Sequence, residues 1–279
     1  MDEYAKLSIN QITTRDQWSL AEAITGYGRH GIHAISVWRD KLLELGIREG
    51  ARMLSDAGMT VTGYCVGGLL SARDDAVFQE RLEDNRRMIE EASTIGAECL
   101  VLIAGGIEEG SGDIDGARER AKEGLALLLP DARAAGIIIG LEPLHPMVCS
   151  LRSVLTTLEM ANDWCEELGA GDELGIAVDV YNVWWDPNLA REIARAGNRI
   201  CAFHVSDWLA DTRDLRFDRG MMGDGVINIE KIREMVEGSR RVTEGSDRTI
   251  ALRLPKGIPS AKEKGTQKTG RQLRPRRSC

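Results

Sequence analysis

The sequence predicts an α/β protein, a single (β/α)₈ barrel, and two observations lead to this fold class. Eight apolar, β-rich runs alternate with helical stretches along the chain, which is the order of parallel strands joined by crossover helices. The length of 279 residues also suits one such barrel, since these barrels typically have about 250 residues. The predicted strands are 7–13, 34–39, 60–66, 98–106, 137–144, 174–182, 199–208 and 249–254.

Helical periodicity fills the segments between these strands, most clearly at 76–96, 114–136, 153–169 and 189–197. Several helical stretches end at a glycine, such as Gly136, and the position after a helix end often needs a positive φ. An open doubly wound sheet is the alternative fold. The sequence disfavours it, because no GxGxxG motif follows the first strand.

Composition indicates an aliphatic core and a reducing compartment. Hydrophobic residues make up 43% of the chain and aromatic residues 5%, so the core must consist mainly of Ala, Val, Ile and Leu, as in parallel sheets. The six cysteines include no CxxC pair, which argues against a zinc knuckle and a disulfide framework. No secretory signal is recognisable, and no apolar run approaches the ~20 residues of a membrane span. We therefore expect a cytoplasmic protein with no membrane partner.

Charge is unevenly distributed along the chain. The net charge is −8, yet residues 238–279 hold 12 Lys or Arg and 3 Asp or Glu. The remaining acidic body does not suit nucleic acid. We expect a catalytic domain over 1–254 and a basic, poorly ordered tail over 255–279, because a polar run offers little apolar surface to offset the entropy of ordering. The tail is either an arm for nucleic acid or another acidic partner or the product of an altered reading frame.

Three ionisable side chains interrupt apolar runs near the ends of three successive predicted strands, namely Glu142, Asp179 and His204. Active sites of α/β barrels lie at the carboxyl ends of the strands, so these groups would meet at one barrel mouth. Burial there would be costly unless the groups were paired or bound a metal. Singly they could be a strand-end carboxylate, a turn cap and a core histidine. Together they suit a divalent ion, with Mn²⁺ the first expectation and Mg²⁺, Co²⁺ or Zn²⁺ the alternatives.

Four motifs follow one another along the chain, LEPLHP at 141–146, VDVYNVWWDP at 178–187, FHVSDW at 203–208 and DRGMMGDGVINI at 218–229. In this order they resemble the sugar phosphate isomerase/epimerase family, the xylose isomerase-like TIM barrels. The resemblance covers about residues 7–237 and is more specific to the family than to a substrate. It implies a metal held by Glu142, Asp179 and His204 together with a Glu on the eighth strand.

Two positions depart from the family pattern. The sixth-strand motif usually reads DxxH, whereas this chain has Asn182 in place of the His. The eighth strand usually carries a Glu that is the fourth ligand and, in the epimerases, a catalytic base, whereas this chain has Ala251 or Arg253 there. An atypical eighth strand followed by a basic tail favours the altered reading frame. We expect the metal to bind less tightly than in four-ligand relatives.

Residues near the expected ligands are candidates for catalysis and substrate binding. Glu142 and His145 are the expected catalytic residues, and His145 is the candidate general base because it lies three residues beyond Glu142. It could instead orient the metal ligands. Arg219, Asn182 and Asp207 are the expected polar contacts of the substrate, although Arg219 could also be an ordinary solvated arginine. The expected aromatic contacts, which could equally seal the barrel mouth, are Trp184, Trp185 and Trp208.

The predicted reaction is removal of a proton next to the carbonyl of a keto sugar, with metal stabilisation of the developing negative charge. Return of the proton makes the protein an isomerase or epimerase. Expulsion of a group from a 3-keto-glycoside makes it a lyase, as the resemblance to C-glycoside deglycosidase α subunits implies. A third hypothesis is a sugar-binding barrel whose catalysis is impaired. The expected partners are a small sugar and either a second copy of the chain or, for the lyase, a small β subunit.

Overall fold

A computed structural model of the chain describes residues 6–239 and 250–252. In this part of the chain the predicted fold is confirmed, because eight parallel strands form a closed barrel and not an open sheet. The predicted tail at 255–279 lies outside the described residues. Arg253, one of the two candidates for the position of the family's fourth ligand, also lies outside the described residues. The same is true of both ends of the predicted strand 249–254.

The barrel places the carboxyl ends of all its strands at one edge. Each strand pairs in parallel with the next along the chain, and the last strand closes the barrel between the seventh and the first. In that closing strand Ala251 is in register with His204 on one side and with Ser8 on the other. The strands are β1 (Leu7–Asn10), β2 (Ala34–Trp38), β3 (Thr60–Gly68), β4 (Cys99–Ile103), β5 (Ile138–Leu141), β6 (Leu174–Asp179), β7 (Ile200–Val205) and β10 (Ile250–Leu252).

Helices cover the outside of the barrel, and local sequence sets their ends. Ser19 and Glu22 form a capping box at the start of the first helix, and Gly136 ends the fifth with a φ of 68°, as its position predicts. No helix in the described ranges is long and apolar enough to cross a membrane. The helices are α1 (Leu20–Arg29), α2 (Arg39–Leu45), α3 (Ile47–Asp56), α4 (Asp75–Thr94), α5 (Ile114–Ala135), α6 (Leu158–Glu167), α7 (Val180–Val183), α8 (Leu189–Ala196) and α9 (Ile229–Ser239).

Several predicted elements are longer than those in the structure, such as the strands predicted at 7–13 and 199–208, and two of the differences have a clear local cause. The sixth strand was expected to continue to residue 182, but β6 ends at Asp179, whose side chain accepts a hydrogen bond from the backbone N–H of Tyr181 and so starts the short helix α7. The helix predicted over 153–169 begins only at Leu158, because the Thr157 hydroxyl caps it at the N–H of Met160. Both changes result from side-chain caps that override hydrophobic periodicity.

The interior of the barrel is filled by small side chains. Cys65, Cys99 and Cys201 pack together there with Val101, Ala177 and Ala202. Gly140 of β5 leaves space for one of them, because a Cβ at that position would lie 2.7 Å from the Cys201 sulfur. A second, larger apolar core lies between the barrel and the helices. The cysteines of β3, β4 and β7 are therefore reduced core residues, as their positions in strand-like runs predict.

After β7 the chain forms a short antiparallel ribbon of β8 (Asp207–Trp208) and β9 (Arg219–Gly220). The ribbon brings the long loop 209–218 back to the carboxyl edge of the barrel. Its return strand places Arg219 beside the ends of β6 and β7, where it contacts Asp179 and Ser206. The loop after the seventh barrel strand thus contributes directly to the barrel mouth.

Candidate functional site

Glu142, Asp179 and His204 lie together at the carboxyl edge of the barrel. Glu142 directly follows β5, Asp179 ends β6, and His204 of β7 is in register with Asp179. One ligand atom from each residue lies within 4.8 Å of the other two, and the Glu142 Oε1 is 3.3 Å from Nδ1 of His204. All three side chains are buried. The structure therefore brings together the three residues that the strand ends predict.

The chemistry of this cluster fits a divalent metal ion. Two carboxylates and one imidazole are ligands for Mn²⁺, Zn²⁺ and similar ions, and buried carboxylates need a compensating positive charge. At the level of His204 the closing strand has Ala251 and no carboxylate. Among the described residues the cluster thus offers three protein ligands, an arrangement that leaves coordination positions for water or substrate.

Arg219 is already paired with one member of the cluster. Its Nη1 donates to Oδ2 of Asp179 at 2.8 Å and to the Ser206 hydroxyl at 3.1 Å. The guanidinium carbon lies 4.0 Å from the centre of the Tyr181 ring, a cation–π contact. Its Nε is buried and has no hydrogen-bond partner in the described part of the chain. Arg219 is therefore a buried, positively charged side chain that contacts the cluster, and not a solvated loop residue.

Asn182 connects this cluster to the loop that carries His145. Its Nδ2 donates to Oδ2 of Asp179 at 3.2 Å, and its Oδ1 accepts the backbone N–H of His145 at 3.3 Å. Both Asn182 and His145 line the same cavity as Glu142 and His204. The residue that replaces the family's usual histidine thus positions Asp179 and fixes the backbone of His145.

The ring of His145 has a defined hydrogen-bonding role. Its Nδ1 accepts the backbone N–H of Met147 at 3.2 Å, so the neutral ring carries its proton on Nε2. Burial lowers the pKa of His145 below its ordinary value of 6.5, which favours this neutral form. In this tautomer Nε2 is the ring nitrogen that can donate a hydrogen bond. The proton-accepting role predicted from the sequence requires the bond from Met147 to break.

The aromatic residues at the strand ends form a cluster behind His145. Trp208 lies 4.9 Å from the His145 ring, 4.8 Å from Tyr181 and 5.7 Å from Trp184 between ring centres, while Trp185 is 5.9 Å from His145. None of these three tryptophans is among the residues that line the cavity in the described structure. Trp185 and Trp208 pack against His145, and Trp208 also packs against Tyr181 and Trp184.

The tryptophan that does line the cavity is Trp38, at the end of β2. Its indole N–H donates to Oδ1 of Asn10 at 2.7 Å, which fixes the ring. Sequence reasoning missed this residue, although its position at the end of a barrel strand was a usable signal.

Asp207 holds the loop after the ribbon. Its carboxylate accepts the backbone N–H groups of Gly223 and Gly225 at 2.9 Å and that of Ile227 at 3.0 Å. The side chain is fully buried and does not line the cavity as the structure describes it. Its observed contacts are with the protein backbone, although the sequence predicts a contact with substrate.

Two arginines that sequence reasoning did not select also line the cavity, Arg152 and Arg216. Arg152 is partly buried, and burial lowers the pKa of its guanidinium, with a further contribution from the positive charge of Arg216. Both residues lie on loops at the carboxyl edge of the barrel. A basic residue in such a loop is a weak signal, because most loop arginines are solvated.

Comparison with known proteins identifies the family. The model of the xylose isomerase-like TIM barrel matches residues 27–241, so the chain belongs to this family, as its four motifs predict. Protein SMc04130 from Sinorhizobium meliloti 1021 is 44% identical, with 91% of this chain and 90% of that one covered and a TM-score of 0.86. Among curated proteins none matches the sequence.

More distant solved structures share the fold. The IolI protein, solved with a bound zinc atom, is 19% identical over 90% of this chain and 89% of that one, with a TM-score of 0.76. The 3-keto-D-glucoside 4-epimerase YcjR from E. coli, in its apo form, is 16% identical over 93% and 95%, with a TM-score of 0.72.

Proposed function

We propose that this protein is a divalent-metal-dependent isomerase or epimerase of a keto sugar. The observation that carries the proposal is the buried cluster of Glu142, Asp179 and His204, two members of which line a cavity together with His145. Family membership supports an enzyme of this type, and structures of similar fold include a zinc-bound protein and a keto-sugar epimerase. Mn²⁺ is the metal we propose, with Zn²⁺, Mg²⁺ and Co²⁺ as alternatives.

A bound divalent ion would polarise the substrate carbonyl and make the adjacent C–H more acidic. Glu142, Asp179 and His204 would hold this ion. Asn182 would keep Asp179 in place through the hydrogen bond that it donates. The indole of Trp38, held by Asn10, would offer its face to the apolar side of the sugar.

Proton transfer is assigned to Glu142 and His145. Oε1 of Glu142 faces His204, and within the described residues Oε2 forms no hydrogen bond, which supports Glu142 as the base. The oxygens of Asp179, by contrast, accept hydrogen bonds from Tyr181, Asn182 and Arg219. His145 would donate from Nε2 to the oxygen that gains negative charge.

A lyase acting on 3-keto-glycosides is the second candidate, and the register of the closing strand favours it. Epimerisation needs a proton returned to the opposite face of the carbon, usually by a second acid. Ala251 stands beside His204 where a relative would offer that carboxylate. Elimination needs one base, and so does an isomerisation on one face of the sugar. A small β subunit is proposed as a partner only under the lyase hypothesis.

Metal analysis and solvent exchange test the proposed function together. The full chain, dialysed against Mn²⁺, should retain one ion per chain and should exchange the α-proton of a simple ketose or a 3-keto-glycoside with deuterated solvent. Glu142→Gln should lose both properties, whereas Arg213→Met, which removes an exposed arginine from the neighbouring loop, should keep them. Product analysis separates a sugar isomer from an elimination product. Undiminished exchange by the metal-free protein would contradict the proposal.

A further inference from the structure

Three arginines surround the candidate substrate cavity, and two of them lack a carboxylate partner. Arg219 is paired with Asp179, but Arg152 and Arg216 form no ion pair with the described residues. Elsewhere on the protein arginines commonly have such partners, and Arg195 alone contacts three carboxylates. Other arginines without an ion pair among the described residues, such as Arg29, Arg48 and Arg73, are exposed, whereas Arg152 is partly buried at the cavity.

The backbone around Arg152 is fixed by the neighbouring loop. On one side of it the carbonyl of Ser150 accepts the N–H of Ile107, and on the other the N–H of Val154 donates to the carbonyl of Gly105, both at 2.8 Å. Arg152 is thus presented to the cavity from an anchored segment. The charge of Glu142 acts on this guanidinium and partly opposes the lowering of its pKa, but a metal bound to Glu142 would neutralise that charge. A partly buried guanidinium is then left without a counter-ion, which is unfavourable and indicates that a ligand supplies the missing negative charge.

Arg216 reaches the cavity from loop 209–218. Its backbone N–H is bound by the side chain of Asp214 at 2.8 Å, and its guanidinium lies 4.9 Å from the centre of the Phe217 ring. Hydrogen bonds from the backbone N–H groups of Arg216 and Phe217 lower the pKa of the Asp214 carboxyl, and the positive charge of Arg216 adds to this effect. The carboxylate of Asp214 nevertheless binds backbone N–H groups and forms no ion pair with the guanidinium.

The sum of the charges around the cavity also indicates an anionic ligand. The two carboxylates of the metal cluster would be neutralised by a divalent ion, which leaves three positive arginines around the cavity. Arg219 also has a buried Nε that finds no hydrogen-bond acceptor among residues 6–239 and 250–252. The cavity with metal bound is therefore strongly positive, and an uncharged sugar would not compensate it.

We propose that the substrate carries an anionic oxygen group, a phosphate or a carboxylate, which Arg152 and Arg216 bind at the mouth of the cavity. This inference rests on the proposed function for the identity of the reacting sugar, but the binding step can be measured without turnover. Guanidinium groups suit such anions because their parallel N–H donors match the oxygens of a phosphate or carboxylate.

The test compares charged and neutral probes by calorimetry on the Mn²⁺-loaded full chain. The probes are inorganic phosphate, fructose 6-phosphate against fructose, and glucuronate against glucose. We expect Arg152→Met and Arg216→Met each to weaken binding of an anionic probe by roughly 10- to 100-fold, with metal content unchanged. The matched control is Arg213→Met, since Arg213 lies on the same loop but pairs with Asp211 and not with the cavity. It should bind the anions as the parent does.

The outcomes separate the two proposals. Tighter binding of fructose 6-phosphate than of glucuronate assigns the group as a phosphate, and the reverse assigns it as a carboxylate. Equal affinity for charged and neutral sugars would overturn the inference, and so would phosphate binding that survives both substitutions, because the metal would then hold the phosphate. The proposed function would stand and this inference would be refuted if the protein exchanged the α-proton of a neutral sugar as fast as that of its acidic counterpart. Anion binding that depends on the two arginines, in a protein that exchanges no α-proton, would support this inference and refute the proposed function.

Discussion

Arg219 and Asp179 form a buried ion pair, with Nη1 donating to Oδ2 at 2.8 Å, inside the cluster proposed to bind metal. A guanidinium and a metal ion both stabilise the Asp179 carboxylate, and they repel each other. The pair therefore makes the metal-free protein more stable and weakens metal binding.

Arg219→Met should increase the affinity for Mn²⁺ by roughly tenfold or more, because it removes a positive charge that contacts a metal ligand. A tenfold change corresponds to about 1.4 kcal/mol, which is less than the ~4 kcal/mol by which charges about 4 Å apart interact at an effective dielectric constant of 20. Titration of the metal-free protein measures the dissociation constant. Without metal the variant should be less stable by about 3–5 kcal/mol, since Asp179 loses its buried partner. Weaker metal binding would instead show that Arg219 supports the site.

Glu142→Gln and His204→Ala should each abolish stoichiometric metal retention, because each removes one of three protein ligands. Ligands must be deprotonated to bind, so metal occupancy of the parent should fall as the pH is lowered. Elemental analysis after dialysis at several pH values measures both effects. A stoichiometric ion retained by the triple variant with Glu142, Asp179 and His204 all changed to Ala would place the metal elsewhere.

Asp207→Ala should destabilise the protein by about 3–5 kcal/mol, because four backbone N–H groups, those of Trp208, Gly223, Gly225 and Ile227, lose a buried charged acceptor. The loop 221–228 should lose protection from amide exchange, while metal content at low temperature stays near that of the parent. Chemical denaturation and hydrogen exchange measure these changes. Parent-like stability combined with weaker sugar binding would support the substrate contact expected from the sequence instead.

The sequence predicts the barrel and the cluster of Glu142, Asp179 and His204 well, because the order of the strands and their carboxyl ends can be read from it. Parallel strands share one carboxyl edge, so Glu142, Asp179 and His204 could be placed together without knowledge of any loop. Family membership was predicted on the same motifs. The ends of β6 and α6 were less predictable, since side-chain caps at Asp179 and Thr157 decide them.

Loop geometry was beyond the reach of sequence reasoning. The ion pair of Arg219 joins residues 40 positions apart through a ribbon of two short strands that no periodicity reveals. The same limit explains why Arg152 and Arg216 were missed at the cavity. It also explains why Trp184, Trp185 and Trp208 were expected to contact substrate, whereas among the described residues Trp38 is the tryptophan that lines the cavity.

Protein stability should depend on pH through His145. Burial lowers its pKa in the folded state below the ordinary value of 6.5, so the unfolded chain binds this proton first as the pH falls. The stability that the neutral ring contributes is therefore complete above pH 6.5 and is lost as the pH drops through the lowered folded-state pKa. Thermal unfolding of the parent and of His145→Gln across this range should show a steeper acid loss in the parent. Identical pH profiles would contradict the lowered pKa.

Substitution of His145 distinguishes hydrogen-bond donation from proton acceptance. His145→Ala should lower turnover by about 10²- to 10⁴-fold, the usual range for a proton-transfer residue, with metal content unchanged because His145 is not a ligand. His145→Gln should recover part of this loss if Nε2 donates, as the bond from Met147 to Nδ1 requires, since an amide N–H can donate but cannot act as a base. Solvent exchange of the substrate α-proton measures the step itself. Exchange equally slow in the Ala and Gln variants would restore His145 as the base, and full exchange in both would leave proton transfer to Glu142 alone.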